Sequence, residues 1–220
     1  MISTDIKPDT VVYHSLIQGF CTHGDLVKAK ELVYEMINKD IPPPTIVLFS
    51  SIINSLCKEG RVTDAQDIFN LVIEIGESPD VFAFTSLLDG YCLVGKMEKA
   101  SQVFDAMVSA GIEPNASTYS VMITNLLKQG LVEEAESMFS SMEKSGCAPD
   151  SPLMNDIIRI LLEKGEIVKA GDYMSKVDGR SISLEATTTS LLKCLFSSKG
   201  KYREQINLLP VKYQFFNGAS

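Results

Sequence analysis

The cysteines of this sequence lack the spacing of a metal site or a disulfide framework. There are five among 220 residues, an odd number, and no two of them form a CxxC motif. This pattern argues against structural zinc and against disulfide scaffolding, and it fits a reducing compartment. A long apolar run that could cross a bilayer is also absent, so no membrane role is expected. The opening residues, MISTDIKPDT, have neither the apolar core of a secretory signal nor the Arg-rich character of an organellar transit peptide. Any organellar address of a parent protein is therefore expected to be missing from this sequence.

Positive charge and catalytic motifs are equally sparse. Twenty basic side chains face twenty-eight acidic ones, giving a net charge of −8 and a pI near 4.8. Proteins that bind nucleic acid usually carry a basic footprint, so this balance opposes such a function. The two histidines, His14 and His23, are isolated from other metal-ligating residue types. We find no HxE with CxxC, no phosphate loop and no nucleophilic triad, so neither an enzyme nor a cofactor or small-molecule site is predicted.

One glycine recurs at a nearly fixed interval along the whole chain. The interval is 36 residues once and then 35 residues four times, and an alanine follows five residues after each of the first five glycines. The glycines are Gly24, Gly60, Gly95, Gly130, Gly165 and Gly200, and the alanines are Ala29, Ala65, Ala100, Ala135 and Ala170. Two features that stay in phase over most of a chain identify a repeat protein.

Each repeat is predicted to be a pair of helices. In the clearest copy, Phe84, Leu87, Leu88, Tyr91 and Cys92 have the i, i+3, i+4, i+7 and i+8 spacing of one apolar helix face. A glycine then ends that helix, a second apolar stripe follows, and a proline ends the second helix. Such a hairpin cannot bury both stripes alone and must stack on its neighbours. The sequence therefore predicts an all-α solenoid of stacked helix-turn-helix repeats, and the recurring cysteines and methionines are expected to pack in its core.

The spacing divides the chain into seven segments. Residues 1–9 are interpreted as the end of an upstream repeat whose body is absent, and residues 186–220 as a decayed repeat and C-terminal cap. Between them we predict five repeats, at residues 10–45, 46–80, 81–115, 116–150 and 151–185, the fifth being degenerate. A short helix is expected from Tyr202 to Leu209, and a tail after Pro210 is expected to lie over the last helices.

The repeat VFAFTSLLDGYCLVGKMEKASQVFDAMVSAGIEPN carries a resemblance to a known family. It resembles the P-type pentatricopeptide repeat, and the likeness extends over residues 7 to about 185. The segment SLEATTTSLLKCLFSSKGKYREQINLLPVKYQFF is similar to the end of plant fertility-restorer-like members of that family. The resemblance implies a right-handed superhelix that binds single-stranded RNA at one base per repeat, running 5′ to 3′ from the N-terminal repeat.

The resemblance also implies which side chains contact RNA. The fifth and last residues of each repeat would read the base, the second residue would stack on it, and a lysine near the end of the first helix would contact phosphate. The base-reading pairs are His14 with Thr45, Ser50 with Asp80, Thr85 with Asn115, Ser120 with Asp150, and Asn155 with Glu185. The stacking residues are Val11, Val47, Phe82, Ser117 and Pro152, and the phosphate lysines are Lys58 and Lys128. By the family's rules these pairs would read an unassigned base, G, A, G and a pyrimidine.

Two other interpretations stay open. An Asp or Asn between a proline and a helix is often only a helix cap, which satisfies free backbone N–H groups. An acidic solenoid could instead bind a basic protein partner, although a protein groove would not restrict the fifth and last residues to Ser, Thr, Asn and Asp. If RNA is the partner, the resemblance implies a mitochondrial protein that acts in the processing or translation control of a transcript, by occupying it or by recruiting a nuclease to it. A plastid or cytoplasmic location is the alternative.

Overall fold

The computed structural model describes residues 9–180 and 182–218, and in that part every regular element is helical. The chain divides into two compact units, Met1–Pro114 and Asn115–Ser220. The prediction of an all-α fold built from stacked helical hairpins is confirmed. The predicted end of an upstream repeat, residues 1–9, lies outside the described residues except for Asp9.

The first unit, here called the N-terminal unit, contains three hairpins. Its helices are α1 (Thr10–His23), α2 (Leu26–Asn38), α3 (Ile46–Lys58), α4 (Val62–Glu74), α5 (Val81–Leu93) and α6 (Met97–Ser109). Within this unit each first helix packs against the second helix of its own hairpin and against the neighbouring first helix, so α3 contacts α1, α4 and α5. The first helices α1, α3 and α5 therefore form one layer, and α2, α4 and α6 are the second helices of the three hairpins.

The second unit, here called the C-terminal unit, begins with two helical hairpins and ends with one α-helix and two 3₁₀ helices. Its helices are α7 (Ala116–Gln129), α8 (Val132–Lys144), α9 (Ser151–Lys164), α10 (Ile167–Gly179) and α11 (Ala186–Phe196), followed by the 3₁₀ helices η1 (Arg203–Leu208) and η2 (Val211–Gly218). Helix α9 packs against α7, α10 and α11. The predicted short helix is thus η1, and the tail after Pro210 is η2, which contacts α11 and is held to α10 by a hydrogen bond from the Tyr213 hydroxyl to Asp178 (2.8 Å).

The recurring alanines and cysteines lie in the core of the two units. All five alanines are at most 1% exposed, which allows the two helices of each hairpin to approach closely. Cys21, Cys57 and Cys92 are buried, as the apolar stripe predicted. Burial raises the pKa of the Cys57 thiol to about 12, so this side chain behaves as a small apolar group.

The glycines between the two helices of the first five hairpins have the backbone geometry that the repeat predicted. Their φ angles lie between 74° and 85°, a left-handed conformation that costs glycine little. Gly200 is different because its φ is not positive and α11 already ends at Phe196. A Cβ on Gly200 would lie 2.3 Å from the Leu195 carbonyl oxygen, so close backbone contact requires glycine here. The sixth glycine therefore keeps the spacing without forming the same turn.

Candidate nucleic-acid interface

The second residue of each repeat points away from the core. Val11, Val47 and Phe82 are 69%, 71% and 52% exposed, although all three are apolar. Two residues further along each helix the aromatic side chain is buried, because successive residues turn by about 100° and i, i+2 pairs face opposite sides. Each first helix of the N-terminal unit thus carries an exposed apolar side chain at this second position, and Val11, Val47 and Phe82 are here called the apolar row.

The equivalent residues of the C-terminal unit are exposed but less apolar. Ser117 and Pro152 occupy the first turns of α7 and α9. Proline fits the first turn of a helix, where its missing N–H group has no partner to lose. Neither side chain offers the stacking surface of Phe82. The geometry predicted for base stacking is therefore strongest in the N-terminal unit.

Three of the last residues cap the following helix. Asp80, Asn115 and Asp150 accept hydrogen bonds from the backbone N–H groups of Ala83 (2.8 Å), Thr118 (3.0 Å) and Leu153 (2.9 Å), respectively. The helix-cap interpretation holds for these three residues. Thr45 and Glu185 occupy the same position before α3 and α11 without a side-chain cap bond.

The side chains of the predicted base-reading pair Ser50 and Asp80 are joined by a hydrogen bond. The Ser50 hydroxyl donates to Asp80 Oδ1 at 2.9 Å, and the same oxygen accepts the cap bond from Ala83. Ser50 is only 1% exposed, whereas Asp80 is half-buried. A base approaching this pair would meet the carboxylate of Asp80, and Ser50 would orient it from behind.

The equivalent serine of the C-terminal unit makes a different bond. The Ser120 hydroxyl donates to the Ala116 carbonyl of its own helix at 2.7 Å and is half-buried, while Asp150 is exposed. The hydroxyl and the carboxylate of this pair are not joined by a hydrogen bond. In the third pair, to which the family's rules assign adenine, Thr85 is half-buried on α5 and Asn115 is exposed just before α7.

Asn155 is buried and its side-chain amide is fully hydrogen-bonded within the protein. The side chain is 0% exposed, and its amide nitrogen donates to the carbonyls of Ser151 (2.9 Å) and Ser183 (3.2 Å). Its amide oxygen accepts from the Glu185 backbone N–H at 2.8 Å. The Glu185 carboxylate in turn faces the guanidinium of Arg159 at 3.8 Å. These hydrogen bonds connect Asn155 to the segment between α10 and α11, and base readout by Asn155 stays a prediction.

The first pair is polar and incompletely satisfied. His14 is half-buried on α1, and its Nε2 atom is shielded from solvent without a hydrogen-bond partner among the described residues. Thr45 is exposed and its hydroxyl makes no cap bond. The Thr45 hydroxyl therefore retains hydrogen-bonding capacity that a ligand could use, whereas His14 Nε2 is shielded.

The predicted phosphate lysines are available, and charge is unevenly distributed along the chain. Lys58 and Lys128 are exposed in the last turns of α3 and α7, and neither is part of an ion pair in the described structure. Residues 115–220 contain twelve acidic and twelve basic side chains, so the whole net charge of −8 falls in residues 1–114. The C-terminal unit is neutral overall, which the total charge of the chain conceals.

Two other kinds of site were sought in the described part of the chain. No three His, Cys, Asp or Glu side chains in residues 9–180 and 182–218 lie close enough together to hold a metal ion. Over the same residues, no helix has the length and apolar content that a membrane span requires.

Family models of repeats match most of the chain. The PPR repeat family model matches residues 44–92 and 79–128, and two further PPR repeat models match residues 4–37 and 117–147. No curated protein sequence matches the chain significantly.

Solved structures with this fold include two proteins bound to RNA. The pentatricopeptide repeat protein PPR10 in complex with an 18-nt psaJ RNA element is 20% identical, with a TM-score of 0.64 over 84% of this chain. Free PPR10 from maize is 22% identical with the same TM-score. The PPR domain of Arabidopsis thaliana protein-only RNase P 1, in complex with tRNA, is 15% identical with a TM-score of 0.62 over 83% of this chain and 96% of that domain. The present chain spans only 27% of PPR10 in the RNA complex. At these identities the likeness establishes the fold.

Proposed function

The chain belongs to the pentatricopeptide repeat family, and we propose that it binds single-stranded RNA through the exposed side of its first helices. The apolar row carries this proposal. Val11, Val47 and Phe82 are exposed at the same position of successive helices, where the core gives no reason for an apolar residue. Bases of any sequence stack on an aromatic ring such as that of Phe82, and the two valines offer an apolar surface to the face of a base. The RNA complexes of PPR10 and of the PPR domain of RNase P 1 support the proposal as structures of the same fold.

Base selectivity is proposed for the second, third and fourth repeats. Their base-reading pairs are Ser50 with Asp80, Thr85 with Asn115, and Ser120 with Asp150, which by the family's rules favour G, A and G. A carboxylate such as Asp80 can accept from the N–H groups of guanine, which supports the first assignment. The fifth repeat is left out of the readout because Asn155 is buried and its amide is fully hydrogen-bonded. The proposed core is therefore three purines long, and the pyrimidine predicted from the fifth pair is dropped.

An RNA-binding screen tests this proposal directly. Random RNA selected on the 220-residue chain should enrich a GAG core, and Thr85→Asn should shift the middle preference from adenine toward a pyrimidine. Phe82→Ala should weaken binding by about fivefold or more, since one stacked base contributes about 1–3 kcal/mol. Val108→Ala is the matched control, because Val108 is 51% exposed on the second helix α6. Enrichment without base bias, or equal losses in the two alanine variants, would contradict the proposal.

The cellular role is proposed from the resemblance to fertility-restorer-like proteins. The natural protein would act in mitochondria on one transcript, by covering it or by recruiting a nuclease. Crosslinking of the natural protein in plant cells, followed by sequencing of the bound RNA, should then recover mitochondrial transcripts that contain the purine core. Recovery of plastid or cytosolic RNA alone would contradict the mitochondrial assignment.

A basic protein partner is the second candidate, favoured by the concentration of acid in residues 1–114. Residues 1–114 contain sixteen acidic and eight basic side chains. This candidate predicts salt-sensitive binding of a Lys- and Arg-rich peptide and no base enrichment in the RNA screen. It also predicts that Phe82→Ala leaves peptide binding unchanged, whereas the RNA proposal predicts a loss of RNA binding in the same variant.

A further inference from the structure

A line of cations runs along one edge of the C-terminal unit, at the turns that join its first and second helices. We call this surface the basic turn edge. It consists of Lys128 and Lys164, at the ends of α7 and α9, and of three residues in and just after the turn between α11 and η1: Lys199, Lys201 and Arg203. All five side chains are exposed.

Glycines bring the successive turns into contact. A Cβ on Gly130 would lie 3.9 Å from Lys164 Nζ, so this lysine reaches back to the turn that follows Lys128. A Cβ on Gly165 would lie 2.8 Å from the Tyr202 hydroxyl oxygen, so Tyr202 covers the next turn in the same way. The ammonium of Lys201 stands 4.9 Å from the centre of the Tyr202 ring. The charges therefore belong to one continuous edge of three adjoining turns.

The cations of this edge are not neutralised by ion pairs within the described structure. Elsewhere in the same unit Lys169, Arg180 and Lys212 pair with Glu136, Glu143 and Asp178. None of the five residues of the basic turn edge has a carboxylate within ion-pair distance among the described residues. In the part of the chain that the structure describes, the Arg203 guanidinium donates only to the Ser198 carbonyl, at 3.4 Å.

Acidic residues near the edge do not cancel its charge. Glu163, Glu166 and Glu204 are its acidic neighbours in sequence, three against five cations. The unit as a whole is neutral, so the excess positive charge at this edge is balanced by acid elsewhere in the unit. An anionic chain within about 10 Å of the edge experiences the local excess, because more distant surface charges are screened by salt.

We propose that the basic turn edge binds the sugar-phosphate backbone of the RNA segment 3′ of the bases read by the repeats. The inference rests on the proposed function, since it requires RNA running 5′ to 3′ toward the C-terminal unit. Lysine ammonium groups contact phosphate as point charges and carry no sequence information, so the edge adds affinity and register. The buried Asn155 separates the two activities, because base readout ends at repeat four while phosphate contact continues past it.

The experiment compares two surface variants with the same net charge. K199Q/K201Q/R203Q removes three charges from the edge, and K30Q/K99Q/K144Q removes three from the second helices α2, α6 and α8, where none of the lysines is ion-paired among the described residues. Each protein is titrated with RNAs of about ten nucleotides that carry the GAG core and either a 3′ or a 5′ uridine tail. Thermal melts of both variants and the charge-keeping variant K199R/K201R/R203K check that folding is intact.

For the wild type we expect the 3′ tail to bind more tightly than the 5′ tail. The edge variant should lose this preference, and the slope of log K against log salt should fall by about 2, at about 0.7 for each lost phosphate contact. The second-helix variant and the charge-keeping variant should behave as wild type. Base-selective binding with an unchanged slope and tail preference in the edge variant overturns the inference and leaves the proposed function standing. Tail-dependent binding without base selectivity supports the inference about the edge and contradicts the proposed base-selective function. No RNA binding at all refutes both.

Discussion

Thr188 buries a hydroxyl group that has no hydrogen-bond partner among the described residues. The side chain lies on α11, is 0% exposed, and its Oγ1 atom is unsatisfied among the described residues. Thr118 occupies the equivalent third position of its repeat on α7 and is also 0% exposed, but its hydroxyl donates to Asn115 Oδ1 at 3.1 Å. The two residues therefore form a natural pair in which the same group is buried with and without a partner.

Replacing each threonine by valine should change stability in opposite directions. Valine has the same shape as threonine, with a methyl group in place of the hydroxyl. Thr188→Val therefore removes a buried hydroxyl without a hydrogen-bond partner, and burying such a group costs about 1–3 kcal/mol. We expect Thr188→Val to stabilise the C-terminal unit by about 1 kcal/mol. Thr118→Val should destabilise it by about 1 kcal/mol, since it removes a hydrogen bond and leaves the Asn115 cap with fewer donors.

Scanning calorimetry and urea titration measure both effects. In a chain of this length a change of 1 kcal/mol shifts Tm by about 2–4 °C. Stacked repeats can unfold in stages, so the shift should be read from the transition that includes α7 and α11. Two shifts of the same sign would refute the reasoning, because they would mean that the hydroxyl partner does not decide the outcome. An unchanged or lower Tm for Thr188→Val alone would also refute it.

Three further predictions concern the N-terminal unit and the exposed thiol of α11. Asp40 has φ = 54° where the next repeats place a left-handed glycine, so Asp40→Gly should raise stability by about 0.5–1 kcal/mol in urea titration. Arg61 donates to the carbonyl oxygen of Cys21 at 3.0 Å, at the end of α1, so Arg61→Met should lower stability by about 1–2 kcal/mol, more than the loss in a surface control such as Lys30→Met. Burial raises the pKa of the Cys57 thiol to about 12, so at pH 8 iodoacetamide should alkylate the exposed Cys194 long before Cys57. Mass spectrometry of the folded protein measures the two rates, and equal rates would contradict this prediction.

The features that sequence could predict are those set by spacing along one helix. Phe84 and Leu88 are buried and Phe82 is exposed because residues four apart share a face and residues two apart do not. The period then carries this assignment from one repeat to the next. For the same reason the left-handed turn at Gly95 and the buried Ala100 followed from the repeat alone.

The partners of the fifth residues could not be predicted, because the side chain at this position can bond either its own helix or a segment about thirty residues away. Ser50 bonds Asp80 across that distance, Ser120 bonds its own helix, and Asn155 bonds the segment that leads to Glu185. The same register therefore gives three environments. One sequence signal was present: Leu184 stands where the earlier repeats have proline, and it lies in the segment whose backbone Asn155 holds.

Lys164 was missed for a related reason. It is residue 14 of its repeat, one position after the register of Lys58 and Lys128, and Glu163 occupies the position that the family reserves for a phosphate lysine. Only the contact of its ammonium with the Gly130 turn places Lys164 on the same edge as Lys128. A shift of one residue along a helix end moves a long, flexible side chain by less than its own length.

Net charge is a poor guide to RNA binding in a protein of stacked repeats. Surface charges act over about 8–10 Å at ordinary salt, which is shorter than a helix of thirteen residues. A strand of RNA on this chain would therefore meet the charges of one repeat at a time, and the total of −8 would never act as a whole. In the N-terminal unit, where acid exceeds base, affinity has to come from stacking on the apolar row and from hydrogen bonds at the bases. In the C-terminal unit, stacking surface is poor and unpaired cations lie along one edge, so affinity has to come from phosphate contacts. Raising the salt concentration should then release the 3′ part of a bound RNA first, while the contacts at Phe82 persist.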